Sequence, residues 1–153
     1  MPLESAREID LDPRTFVGLS FPLRADTNNN FALTRNSLQQ AQYNLKNLLL
    51  THIGERVMHP TFGCKLLEVC FEQHDDELPN RVDTVVRESV EEWLPYINIE
   101  SVDVLKDEGN PNRIFVKVSF FTTLDESTMQ QITIDAQYGR TSTTRITDSN
   151  PRP

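Results

Sequence analysis

Two stretches of this chain repeat apolar residues at helical steps, and three others alternate them. Leu38, Ala41, Leu45, Leu48 and Leu49 recur every three or four residues, the spacing that lines one face of a helix. Gln39, Gln40, Asn44, Lys46 and Asn47 fill the opposite face. Ser37 with Gln40 fits a capping box, in which each side chain satisfies a free backbone N–H of the other residue. Gly54 supplies a stop, because glycine enters the left-handed region freely. Further on, Val82, Val85, Val86, Val90 and Trp93 form a second stripe. Arg81, Asp83, Arg87, Glu88, Glu91 and Glu92 form its solvated face. Pro79 suits the first turn of this helix, where a missing N–H costs nothing. Leu94-Pro95 ends it, since the residue before proline resists the helical region. Between the two helices, Gly54 to Gly63 reads as a loop. Cys64 to Glu72, with Leu66, Leu67, Val69, Cys70 and Phe71, reads as a short buried helical turn or two.

Beyond Pro95 the period changes to two. Ile97 to Leu105 reads as a strand, with Ile97/Ile99 and Val102/Val104 in opposite phase, and a bulge near Ser101 reconciles them. Lys106 to Asn112 is a turn. Ile114, Val116, Val118 and Phe120 alternate with Phe115, Lys117, Ser119 and Phe121, the clearest strand in the chain. Leu124 to Ser127 is a second turn, and Met129 to Ala136 a third strand. Two main helices followed by an antiparallel meander predict an α+β domain of two layers over residues 36–137. Three strands leave two bare edges, and bare edges invite another chain.

Residues 1–35 read as an arm and linker. The apolar run Thr15 to Leu23 contains Phe16, Leu19 and Phe21, and Pro22 restricts it to an edge strand. Asp26 to Asn30 is a turn or linker by composition. Residues 138–153 are Gly, Thr, Ser, Arg, Asn and Pro with almost no apolar content, so they read as a flexible tail. One strand-like piece is expected there, around Thr143 to Thr147.

Composition narrows the chemistry. Acidic residues outnumber basic ones 23 to 15, and the formal charge of -8 argues against a nucleic-acid backbone as partner. No apolar run reaches the ~18 residues of a membrane span, and the N-terminus lacks the pattern of a signal peptide. Cys64 and Cys70 read as buried thiols of a reducing compartment. With His52, His59 and His74 they give no zinc spacing, so neither metal nor cofactor is expected. Glu55, Glu68, Glu72, Asp75 and Asp76 are the candidates for a glycosidase acid pair, which needs two carboxylates across a scissile bond. Nothing in their spacing marks a matched pair. There is no G-x-S-x-G and no phosphate-cradling glycine loop. No catalytic residue is expected.

The block from Gly54 to Glu72 stands apart. Pro60 and Gly63 restrict and release the backbone within four positions. Phe62 and Phe71 are placed to anchor the loop from both ends. Arg56 is suited to a bidentate bond with a carboxylate or with backbone carbonyls.

Gly54-Glu-Arg56, then Pro60-x-Phe62-Gly63-Cys64, then Leu66 and Cys70-Phe71-Glu72 resemble the hallmark of the baseplate wedge and sheath-initiator proteins. These belong to contractile phage tails and related machines such as type VI secretion systems, and are sometimes labelled lysozyme-like. The resemblance spans roughly residues 36–136. Many members carry a Glu-Pro-Arg signature after the long helix. Here Leu94-Pro95-Tyr96 keeps the proline and loses both charges.

The resemblance implies a domain similar to the interlocking domain of the sheath, present in multiple copies in a ring around the tail tube. It implies a virion tail baseplate protein, assembled in the host cytoplasm, that templates sheath by β-strand addition. The implied partners are the tail sheath protein and other baseplate wedge proteins, with the tail tube or hub as further candidates. Arg56, Pro60, Phe62 and Gly63 would fix the subunit to the wedge. Pro95 and Tyr96 would stand in for the charged signature, and Phe16, Leu19 and Phe21 would dock on a neighbour. The rival readings are a small muramidase and a generic α+β adaptor.

Overall fold

The computed structural model describes residues 14–72 except 22 and 29, 76–110 except 108, 113–137 except 124, and the stretches 140–141 and 145–148. The leucine stripe becomes helix α1, Ser37–Leu50. Its cap lies one residue earlier than the sequence suggests. Asn36 accepts a 2.7 Å hydrogen bond from the Leu38 N–H. Asparagine caps as well as serine does, so Ser37 is free to join the helix. Gln40 is engaged elsewhere: its carbonyl oxygen accepts from the Thr34 hydroxyl, and its amide donates to Asn44 at 2.8 Å. The stop is Thr51 rather than Gly54. The Thr51 N–H and hydroxyl both donate to the Asn47 carbonyl, the latter at 2.6 Å. That satisfies an end-of-helix acceptor without a left-handed residue.

Helix α2 spans Leu66–Phe71 and helix α3 Leu78–Trp93, with Pro79 in the first turn of α3 as expected. Strands β3 (Ile97–Lys106), β4 (Ile114–Thr122) and β5 (Asp125–Gln137) form the meander. Ile99 pairs with Phe120 but Ser101 with Ser119, so Glu100 is the extra residue of a bulge. The bulge reconciles the two phases of β3. Strand β5 starts earlier than its side chains indicate, because Thr122 pairs with Asp125 and three residues of the expected turn join the strand. Backbone pairing there does not depend on side-chain polarity.

Leu45, Leu48, Leu49, Val82, Val86 and Val90 from the helices are buried against Val116, Val118, Phe120, Ile132 and Ile134 of the sheet. Each such side chain contributes about 1.5–3 kcal/mol on leaving water. Two polar contacts fix the layers. The Gln42 amide donates to Gln130 between α1 and β5. Arg113 donates to the buried Asp135 at 2.6 Å, joining β5 to the residue just before β4.

Two expectations are corrected. The arm is a hairpin, not a lone strand on a linker. Strand β1 (Gly18–Leu19) pairs with β2 (Leu33–Thr34), and the Asp26 N–H donates to Asn30 across the predicted turn. The tail is not wholly without structure: besides β7 (Arg145–Asp148), which overlaps the strand-like piece expected around Thr143 to Thr147, it contributes β6 (Arg140–Thr141), and both pair with β5. The sheet therefore has five strands among the described residues, and the β5 edge is not bare. The β3 edge carries no further strand among those residues.

Candidate partner-binding surfaces

The loop from Gly54 to Gly63 is closed by its own backbone. The Gly54 N–H donates to Pro60 at 2.8 Å, His59 to Arg56 at 3.2 Å and Phe62 to His59 at 3.1 Å. Glycine is required at the base: Gly63 has φ 139°, and a Cβ there would lie 2.6 Å from the Thr51 carbonyl oxygen. One flank is pinned by His52. Its N–H donates to the Glu55 carboxylate at 2.9 Å, and its Nε2 lies 3.1 Å from Glu68.

Within this frame the Arg56 guanidinium stacks 3.9 Å from the centre of the Phe62 ring. Phe62 in turn meets Trp93 edge-on, with centroids 5.2 Å apart and planes at 66°. The expected carboxylate or carbonyl partner of Arg56 is thus replaced by an aromatic face, an attraction to the ring quadrupole. Trp93 belongs to the core stripe by its helical spacing, and the structure adds this loop contact. Phe71 is half-exposed on α2.

The loop tip holds two residues that the motif reading does not single out. Val57 is 92% exposed and Met58 87%. The signal was available: two large apolar residues flanked by Arg56 and His59 have no core to face in a loop this short. Pro95 is exposed, two residues past Trp93. Tyr96 is half-buried, and its hydroxyl accepts a 2.8 Å hydrogen bond from the Asn44 amide. Its backbone carbonyl accepts from the Thr123 N–H at 3.0 Å. Tyr96 therefore ties the α3–β3 connection to α1.

The hairpin makes a second surface. Phe16, Leu19, Leu23, Phe31 and Leu33 are all exposed, and Leu19, Leu23, Ala25, Phe31 and Leu33 line one shallow groove. Phe21 is half-buried, with the Lys46 amine 5.8 Å from its ring. Burial, and then the nearby Arg24, push the Lys46 amine below its ordinary pKa. The structure thus gathers Phe16, Leu19 and Phe21 on one hairpin, and Arg56, Pro60, Phe62 and Gly63 in one loop.

The third surface is the margin of the sheet. From α3, Arg87 donates to the Ile99 carbonyl at 2.9 Å and the Glu100 carbonyl at 3.4 Å, beside the bulge. Asp83 holds Arg87 in place, with both carboxylate oxygens 2.9 Å from its Nε.

Of the acidic candidates, Asp75 lies outside the described residues. Glu72 pairs with Arg81 at 3.4 Å. Both cysteines are buried thiols outside any disulfide, and burial raises both, Cys70 to about 12. Among the described residues no group of side chains is placed to hold a metal, and no helix is long and apolar enough to cross a membrane.

The family model of baseplate wedge protein gp25 matches residues 35–127, well over half of the chain. The chain belongs to that family. This places it among the baseplate wedge proteins. Solved structures share the fold. A chain of the six-fold symmetrised anti-feeding prophage baseplate is 22% identical with TM-score 0.62, covering 71% of this chain and 86% of that one. A protein of Geobacter sulfurreducens named as a tail lysozyme is 23% identical with TM-score 0.56, covering 63% and 86%. A chain of the post-contraction pyocin R2 baseplate is 21% identical with TM-score 0.52, covering 65% and 97%. No curated protein matches. In this member of the gp25 family, the position of the charged signature is filled by Leu94-Pro95-Tyr96, and Tyr96 is spent on an internal bond.

Proposed function

We propose that this wedge protein is a structural subunit without catalytic function, which templates the first sheath ring by accepting strands from sheath subunits. The observation that carries the reading is a sheet with unsaturated margins. Among the described residues, one margin has no strand beyond β3, and the other is covered only by tail segments of two and four residues. Unpaired N–H and C=O groups in a row supply generic attraction, and the alternating side chains set register. Copies in a ring multiply single contacts that are each modest.

The Arg56–Phe62–Trp93 stack and the exposed Val57–Met58 tip are the surface that fixes the subunit to other wedge proteins. The stack holds the loop rigid, and the tip offers apolar area that this domain leaves in water. The hairpin groove around Leu19, Leu23 and Phe31 is the contact for a neighbouring subunit.

The muramidase alternative needs two carboxylates free to act across a sugar bond. Of the five candidates, Glu55, Glu68 and Glu72 are engaged, by the His52 N–H, the His52 ring and Arg81 respectively, Asp76 is exposed to water, and Asp75 lies outside the described residues. That supports a structural role. The test is the lag before polymerisation of the purified sheath protein of the same tail. Adding this chain should shorten the lag in proportion to its concentration. An unaltered lag sinks the templating reading, and clearing of purified peptidoglycan by the same preparation would favour the muramidase.

A further inference from the structure

We propose that the foreign strand enters along β5, over Gln130–Gln137, and that the chain's own strands β6 and β7 hold that margin until it arrives. The inference rests on the strand-addition reading above and chooses between the two sheet margins.

The β3 margin is obstructed where it begins. Arg87 already occupies the carbonyls of Ile99 and Glu100, and Asp83 fixes the guanidinium there. The bulge at Glu100 twists this part of the strand away from straight pairing. An incoming strand would have to displace an ion-paired side chain and follow a broken register.

The β5 margin accepts strands, because the tail pairs with it. The tail fits it poorly. Strand β7 covers Gln130 to Thr133, and strand β6 covers Ala136 and Gln137. Within β6 each pair of residue numbers sums to 277, as in Ala136 with Thr141, and within β7 to 278, as in Thr133 with Arg145. The register therefore shifts by one residue between the two pieces, so no single straight strand accounts for both. The sequence from Arg140 to Asp148 contains one large apolar residue, Ile146. The pairing supplies backbone hydrogen bonds, whose net gain is small once exchanged against water. Ordering the tail residues offsets much of that gain. An extended arm with alternating apolar side chains, and no proline at positions facing β5, would pair without the break and add side-chain burial. It would displace the tail. In the free subunit the tail keeps the edge from pairing with the wrong chain.

A reversible lock tests this. Gln131 and Thr147 are opposite each other, so Gln131→Cys with Thr147→Cys can be closed as a disulfide, and the native Cys64 and Cys70 are buried from oxidant. The oxidised double variant should lose at least tenfold in sheath-nucleating rate, and reductant should restore it in the same sample. A chain ending at Gln137 should nucleate at least as fast as the full chain, and a peptide of residues 138–153 added to it should slow nucleation with dose. The lock keeps every other residue, so it decides even where the shortened chain folds poorly. Equal rates for the oxidised and reduced double variant overturn the tail's role and leave templating standing. Absence of nucleation by the unaltered chain overturns templating, and this inference with it.

Discussion

Replacing Gly63 by alanine should destabilise the domain by about 2–4 kcal/mol, and the structure lets that figure be assembled from parts. The backbone at Gly63 has φ 139°, a region that residues with a Cβ rarely adopt, which costs about 1–3 kcal/mol. The added methyl would lie 2.6 Å from the Thr51 oxygen, 2.9 Å from the His52 carbonyl carbon and 3.0 Å from the Ile53 nitrogen. All three are backbone atoms, so no rotamer change relieves the clash. The segment must move, and the 2.9 Å bond from the buried Cys64 N–H to Thr51 is the first to be lost, at about 1 kcal/mol. Gly54→Ala is the control. Gly54 also has positive φ, 95°, but a methyl added there would meet nothing within 4 Å, so only a backbone cost of about 1–2 kcal/mol applies. Urea unfolding of both variants measures the difference, and the Gly63→Ala midpoint should also fall by roughly 10 °C on heating. If Gly63→Ala is no more costly than Gly54→Ala, the close approach of Thr51 is not what demands glycine.

Arg56→Ala should lower stability by only about 0.5–1 kcal/mol, since an exposed cation–π contact is weak, while incorporation into assembled wedges falls; unchanged incorporation with a lost melting transition would refute the docking role. Val57→Asp with Met58→Asp should leave the urea midpoint unchanged, because both side chains are already in water, and should reduce co-purification with wedge proteins. Cys70, with its thiol raised to about 12, is about one part in ten thousand thiolate at pH 8, so a thiol reagent should modify it only after unfolding. The linked stability has a definite sign. A raised folded value means the contribution is complete below pH 9, the ordinary thiol value, and is lost as pH climbs toward 12. Urea midpoints that stay flat from pH 9 to 11, relative to Cys70→Ala, would contradict it.

The parts of the fold that bury side chains were legible. Leu45, Leu48, Val82, Val86 and Val90 are spaced for one helix face, and Val116, Val118 and Phe120 for one sheet face, so period alone located the two layers. Even the bulge at Glu100 left a mark, because it reverses which residues face the core. Backbone-only pairings left none. Strands β6 and β7 consist of threonine, arginine and other polar residues apart from Ile146, and β5 extends into Asp125-Glu-Ser127 without any change of pattern. The hairpin was half visible: its turn at Asp26 to Asn30 was clear, but β2 is two residues long. At the loop, the sequence marked Arg56, Phe62 and Gly63 as special. It could not disclose the arginine–ring stack or the bond between Tyr96 and Asn44, which joins residues 52 positions apart.

The three surfaces differ in what they can discriminate, and that difference suggests a division of labour. A strand edge offers nearly the same row of donors and acceptors to any extended segment, so by itself it chooses partners poorly. Side-chain features such as the Val57–Met58 tip and the Leu19–Phe31 groove are particular in shape, but each is small. A subunit first fixed through such features presents its edge at a set place and orientation. The next pairing is then effectively intramolecular, and its probability follows from local concentration rather than from intrinsic affinity. Under that arrangement weak self-pairing of the tail is an advantage: it must suffice against strangers in solution and fail against an arm held beside it.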